Sequence, residues 1–273
     1  MAIHTADAIV LRQYPYRETS ALVTCLTNRF GKIKGLIKGL HGLKPRYRSA
    51  MEPLTLNRIV FYEARTSTLH LMTQCDLLCA FSELQRDLEV MRLAASCVEL
   101  VDAVVELEEP YPELFHLLSA TLGHLTTSHG PEAQAVRVHF VLRLLRLVGF
   151  QPQLDECTGC GQHPHDRAFW SPRQGGLLCE RCLHEDPSAE LIEPRWLAEL
   201  VRYAEADEIA LDVPVAVAIQ ARLDEFLRWR LDRPLKTLGP KSGGQGAGGR
   251  GQEQPNTHAP RPTPSRSRPA WRR

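Results

Sequence analysis

No run of about 18 consecutive apolar residues occurs anywhere in the 273-residue chain, so a membrane-spanning helix is not expected. The opening residues, Met1-Ala-Ile-His-Thr-Ala-Asp7, lack a basic segment followed by an apolar core, and no secretory leader is expected. The familiar catalytic signatures are missing too. There is no G-x-x-x-x-G-K-[ST] phosphate loop, no G-x-S-x-G elbow, no H-E-x-x-H helix and no acidic cluster with metal-ligand spacing. The adjacent carboxylates Glu108-Glu109 and Asp207-Glu208 fall at expected helix ends and read as solvated charges. The chain therefore reads as a non-enzyme. With 43% hydrophobic and 24% charged residues, it has enough apolar material to bury ordinary cores.

What is present begins with four cysteines in two pairs, Cys157-Thr-Gly-Cys160 and Cys179-Glu-Arg-Cys182. Each C-x-x-C makes a tight turn that aims two sulfurs at one point, and the gap between the pairs falls in the range of structural zinc sites. Four thiolates close a tetrahedral Zn2+ site and leave no position for water or substrate, so the expected role is a structural zinc. Gly159, Gly161 and Gly175-Gly176 suit the positive-φ positions such turns use. A redox C-x-x-C lacks its strand-to-helix context here, and a pair of disulfides has no secretory context to support it. His163, His165 and His184 lie close by and read as loop histidines. Cys25, Cys75, Cys79 and Cys97 sit in apolar surroundings and read as small buried hydrophobes. Together these features point to a reducing cytoplasm.

The net charge of +1 hides an uneven distribution. Residues 1–80 carry 11 Lys and Arg against 5 Asp and Glu, a net +6. Residues 81–235 carry 14 against 26, a net −12, and residues 236–273 carry 8 against 1, a net +7. A basic head, an acidic body and a basic tail suit a polyanion at one end and a different partner at the other.

The pattern along the chain predicts an α+β protein. Short β-branched or apolar runs at 8–11, 21–26, 33–40, 56–62 and 69–72, separated by turn residues, predict a five-strand closed barrel within residues 1–80. Ser82-Glu-Leu-Gln85 looks like a capping box opening the first helix of a helical domain over 81–239. A helix after Gly130-Pro131 is expected to turn Val136, Phe140 and Leu144 inward and Arg137, Arg143 and Arg146 outward. The cysteine module is inserted at about 155–185, followed by helices near 194–206 and 214–231. The Gly/Pro/Arg composition of 240–273 predicts a disordered basic tail.

In the basic head, Lys32, Lys34 and Lys38 share one parity on a predicted strand and should project from one face. Lys44, Arg46 and Arg48 repeat the pattern around Tyr47, and Arg12, Arg17 and Arg29 add to it. A row of cations on a small barrel is a track for a phosphodiester backbone, with Tyr14, Tyr16, Tyr47 and Tyr62 as stacking candidates and Phe61 as core. The predicted nucleic-acid-binding residues are thus Arg12, Arg29, Lys32, Lys34, Lys38, Lys44, Arg46 and Arg48. Binding should be salt-sensitive and tolerant of sequence, since nothing resembles a helix built for a major groove.

This order of parts resembles the RecO family of bacterial recombination mediators. The likeness rests on Ala8-Ile-Val-Leu-Arg-Gln-Tyr-Pro-Tyr-Arg-Glu18, Thr27-Asn-Arg-Phe-Gly-Lys32 and Lys38-Gly-Leu-His-Gly42. Its most diagnostic stretch is Leu144-Leu-Arg-Leu-Val-Gly-Phe-Gln-Pro152 with both cysteine pairs, and the tail lies outside it. The resemblance implies an OB-fold (oligonucleotide/oligosaccharide-binding) barrel that holds single- and double-stranded DNA and anneals complementary strands without ATP. It implies RecR as a partner in helping RecA replace single-strand-binding protein (SSB), contact with the SSB C-terminal peptide in the helical domain, RecF as a further partner, and a nucleoid-associated cytoplasmic location. An apolar groove rimmed by Arg137, Arg143 or Arg146 would suit that acidic peptide. From the residues alone, a zinc-ribbon adaptor binding RNA or protein in transcription or translation stands as the alternative.

Overall fold

The computed structural model describes residues 2–40, 50–164, 167–205, 213–231 and 234–238. Expectations placed on Lys44, Arg46, Tyr47, Arg48, His165, Asp207, Glu208 and the 240–273 tail lie outside these described residues.

Strands β1 (Ile3–Tyr16), β2 (Ser20–Thr27), β3 (Gly31–Ile37), β4 (Leu56–Tyr62) and β5 (Leu69–Cys79) close into a barrel in the order β1-β2-β3-β5-β4. All neighbours are antiparallel except β3 and β5, which run parallel. This is an OB-like five-strand barrel. Alternation places Ala8, Val23, Cys25, Ile33, Phe61 and Met72 in its interior. β1 and β5 outrun the apolar segments that announce them, because their ends carry polar residues outward while still pairing with neighbours. A register shift between Val10 and Arg12 makes Leu11 the extra residue, so that Leu11 and Arg12 both lie outside the barrel, Leu11 in the helical core, while Val10 stays inside.

The TNRFGK turn between β2 and β3 is pinned by one hydroxyl. Thr27 Oγ1 accepts from the Phe30 N–H (2.8 Å) and donates to the Gly31 carbonyl (2.8 Å). Gly31 adopts φ 65°, and a Cβ there would collide with the Glu109 carbonyl, so only glycine lets the helical domain press this closely on the barrel.

The helical domain begins later than the capping-box pattern suggests. Ser82–Arg86 forms a 3₁₀ turn entered through a left-handed Phe81 (φ 44°), and the Ser82 hydroxyl donates to the Glu83 carboxylate instead of capping backbone. The true start is α1 (Leu88–Val104), whose N-cap Asp87 accepts from the N–H groups of Glu89 (2.9 Å) and Val90 (3.3 Å). Helices α2 (Pro112–Leu125) and α3 (Gly130–Leu147) follow, both with proline in the first turn. The inserted module is a four-strand sheet, in the order β6 (Gln153–Cys157), β8 (Gly176–Cys179), β7 (Ala168–Ser171), β9 (Glu190–Leu191). Helices α4 (Pro194–Glu205) and α5 (Val213–Arg230) complete the bundle. Trp170 of the module is 2% exposed and packs on Phe226 of α5, with ring centroids 5.9 Å apart.

The expected outward face of α3 needs correcting. Helices α1, α2, α4 and α5 all pack on α3, which is buried round most of its girth. Arg137 is consequently 1% exposed; its Nε donates to Ser96 Oγ (2.7 Å) and its Nη2 to Asp224 Oδ1 (2.7 Å). Arg143 is half-buried, and Arg146 alone of the three is exposed. Cys25, Cys75 and Cys97 are buried, and burial pushes the Cys75 and Cys97 thiols up to about 12. Among the described residues, no helix is long and apolar enough to cross a membrane.

Candidate metal centre and nucleic-acid surface

The two cysteine pairs meet in space. Cys157 ends β6, Cys160 closes the following turn, Cys179 ends β8, and Cys182 sits in the 3₁₀ turn Glu180–Glu185. Their four sulfurs lie within 4.8 Å of one another, and Cys160 Sγ is 3.8 Å from Cys179 Sγ. Sulfurs placed tetrahedrally at a Zn–S bond length are separated by about 3.8 Å, so the donor set fits a closed four-coordinate metal. The Thr158 N–H bonds the Leu177 carbonyl (2.8 Å) and the Gly161 N–H bonds the Cys157 carbonyl (2.8 Å), which ties the first turn to β8.

The glycines divide their roles. Gly161 and Gly175 take positive φ as the motif suggests, whereas Gly159 and Gly176 do not. At Gly159 a Cβ would come within 2.5 Å of the Glu185 carboxylate, an exposed side-chain end that can swing aside, and 3.1 Å from Cys182 Cβ.

The thiols differ in acidity. Burial opposes ionisation of Cys179, but the Cys182 N–H and the neighbouring thiols outweigh it and hold Cys179 down at about 6. Burial and those neighbours push Cys182 up to about 12. Four sulfurs this close cannot all carry charge unless a cation joins them, which is the electrostatic case for a metal ion here. The His163 and His184 rings bond the Asp155 and Arg181 carbonyls and stand outside the cluster.

On the barrel, the predicted cations part company. Lys34 and Lys38 are exposed, as is Arg29, whose guanidinium lies over the Phe30 ring at 5.6 Å. Lys32 shares the parity of Lys34 but is 8% exposed, which corrects its place on the surface track. Its ammonium donates to the Asp102 carbonyl (2.9 Å) and faces the Asp102 carboxylate at 3.5 Å. Its own carbonyl accepts from the Glu108 N–H at 2.8 Å. Arg12 is half-buried and also pairs with Asp102. Glu108, expected as a solvated charge, has φ 62° and faces His70 Nε2 at 3.4 Å. Asp102, which sequence reading passes over, and Glu108, which it reads as a solvated charge, are thus the clamps that join α1 and its following linker to β1, β3 and β5. No local pattern marks them, because their partners lie far away along the chain.

The outer wall that stays open has a regular order. Arg12, Thr24, Lys34 and Leu69 are register partners across β1-β2-β3-β5. The neighbouring row is Tyr14, Leu22, Leu36, Leu71 and Tyr62. Tyr14 is exposed and the other four are half-buried. Arg17 extends this wall and lies over the Tyr16 ring at 5.3 Å. Phe61 is inside the barrel, as expected of core.

A closed OB-like barrel clamped to a helical bundle, itself interrupted by a four-cysteine module, defines the class. The family model "Recombination protein O N terminal" matches residues 1–81, and "Recombination protein O C terminal" matches residues 85–239. The chain is 33% identical over 232 residues to the DNA repair protein RecO of Koribacter versatilis, covering 85% of this chain and 93% of that one. It is 29% identical over 242 residues to the DNA repair protein RecO of Bifidobacterium longum, covering 87% and 98%. It is 30% identical over 199 residues to that of Desulfitobacterium hafniense, covering 72% and 70%. The chain belongs to the RecO family of DNA repair proteins.

Proposed function

We propose that the chain binds single- and double-stranded DNA on the open wall of its barrel. It anneals complementary strands without ATP and, with RecR, helps RecA replace SSB on single-stranded DNA. The observation that carries this reading is the exposed Lys34, in register with Thr24, beside the adjacent Tyr14-to-Tyr62 row, with Arg12 of the same row already paired to Asp102. Cations neutralise phosphates and release counterions, while the apolar and aromatic row offers stacking surface that any base can use. Neutralised strands repel each other less and pair.

The metal is zinc in a structural role, because four thiolates complete its shell and leave no site for substrate. A cavity of about 160 Å3 between α3 and β6, lined by Leu142, Arg146, Pro152, Leu154 and Val201, supports the SSB C-terminal peptide as a ligand of the helical domain. The lining also carries Gln151, Gln153 and Asp155, so among the described residues Arg146 is the one cation there to meet an acidic, aromatic-ended peptide, and the Asp155 carboxylate opposes it. RecF is a further proposed partner.

The test is annealing of complementary oligonucleotides coated with SSB from the same organism, without ATP. The expected result is acceleration that fades as salt rises. Unchanged rates on both coated and naked strands would defeat the proposal.

A further inference from the structure

A second recess opens at the end of the barrel that the helical linker covers. It measures about 280 Å3 and is lined by His4 of β1, Arg29 and Phe30 of the β2–β3 turn, Phe61 and Glu63 at the end of β4, His70 of β5 and Glu108 of the linker. At that volume it is just below the range of drug-sized sites and suits one small ring system.

Its exposed rings are those of His4 and Phe30, both half-buried, over a floor of buried Phe61 and His70. His4 lies 4.7 Å from Phe30 and 5.4 Å from Phe61, Phe30 meets Phe61 edge-on at 5.4 Å, and Phe61 lies 5.2 Å from His70. The polar groups are arranged in two pairs. His4 Nε2 is 3.0 Å from Glu63 Oε2, and His70 Nε2 is 3.4 Å from Glu108 Oε1. The Ala64 N–H donates to His70 Nδ1 (3.2 Å), so the His70 proton sits on Nε2 and points at Glu108. Each carboxylate meets its histidine through one oxygen, and both glutamate side chains are about half exposed, 53% and 49%. Arg29 stands at the mouth, over Phe30.

A ring-lined recess with carboxylate acceptors and a cation at its entrance fits an unstacked base that presents adjacent N–H donors. Guanine does so through N1–H and N2–H2, which together match a carboxylate. Adenine and cytosine put a lone pair beside their amino group, and thymine flanks its single N–H with two carbonyls. We infer that this recess holds one flipped-out guanine of a DNA strand, with Arg29 on its phosphate. The inference rests on the DNA-binding reading above and adds a base preference that the open wall lacks. Unpaired bases stacked on side-chain rings and read on their Watson–Crick edge are an established mode of single-strand recognition.

The test compares binding of the full chain to an all-thymine oligonucleotide and to the same strand with one central guanine, inosine or abasic site. Guanine should tighten binding about tenfold, in line with the worth of one base–ring stack. Inosine, which lacks the 2-amino group, should give only part of that gain, and the abasic strand none. Glu63→Gln and Glu108→Gln should each reduce the guanine preference while all-thymine binding holds or tightens, since a negative charge has gone. Phe30→Leu should reduce the preference in the same way. Tight but equal binding of all four strands would overturn the guanine pocket and leave the DNA-binding reading in place. A preference that survived both glutamate substitutions would also overturn it. No binding of any strand at low salt would remove both readings.

Discussion

At the scale of single residues, Lys32 and Lys34 make a controlled pair: same strand, same parity, opposite fates. Lys32 is covered by α1 and neutralised by Asp102, while Lys34 faces solvent in the Arg12–Thr24–Lys34 row. Replacing Lys34 with Met should weaken single-strand binding and flatten the dependence of log K on log salt by about 0.7, the share of one phosphate contact. Lys32→Met should leave that slope alone and act on stability. Salt titrations of both variants check this, and a slope change for Lys32→Met would put that lysine back on the DNA. Asp102→Ala should be harsher than Lys32→Met, at about 3 kcal/mol in urea unfolding, because it strands a buried ammonium. The shared parity of the two lysines was legible in the sequence, since it needs only the strand period of two. The lid over Lys32 was not, because Asp102 lies 70 residues away in sequence and carries no local mark.

At the scale of elements, the four-cysteine module was the part most fully readable in advance, because both knuckles are local turns whose chemistry is written in consecutive residues. The start of α1 was misplaced for the opposite reason. Ser82-Glu-Leu-Gln85 satisfies a capping rule, but the chain enters it through left-handed Phe81 and the cap role passes to Asp87. Arg137 was misread because a helix packed on nearly all sides has no solvent face to signal. Chelation of the metal should release β6 to β9. Amide exchange in residues 153–191 should accelerate while barrel amides stay protected, and mass spectrometry of the exchanged fragments would show it.

A pH effect belongs to this scale as well. Burial works against the Glu99 carboxylate, but the Thr237 N–H (2.9 Å), the Thr237 hydroxyl (2.7 Å) and the Lys236 N–H (2.8 Å) hold it below the usual range. A carboxylate held below its unfolded value stabilises fully above about pH 4.3 and loses that contribution as pH falls through the folded value. Proteolysis of the 234–238 segment should therefore speed up below about pH 4 in the native protein. Glu99→Gln should show the faster cleavage already at neutral pH.

At the scale of the whole molecule, one ion pair ties the middle of the chain to its last long helix. Arg137 and Asp224, 87 residues apart, meet inside the bundle with side chains 1% and 16% exposed, and among the described residues Arg137 Nη1 has no hydrogen-bond partner. Asp224→Ala should cost about 3–5 kcal/mol, while an all-leucine replacement of both partners should recover most of that loss. Denaturant unfolding of the two variants separates a stranded charge from a lost contact.

The barrel and the bundle also differ in when they can form. Every strand pairing of the barrel is complete by Cys79, so its hydrogen bonds can close while the rest of the chain is still being made. The bundle has no such independence: α3 stays incomplete until α5, ending at Arg230, has left the ribosome. Ile9, Leu11 and Leu26 stay uncovered on a finished barrel only until α1 and α2 emerge, whereas Arg137 waits for its counter-charge until α5 is complete. During synthesis, the exposed apolar side of the nascent protein is the wall that later faces its own helices, which makes that wall the natural place for a chaperone to hold it.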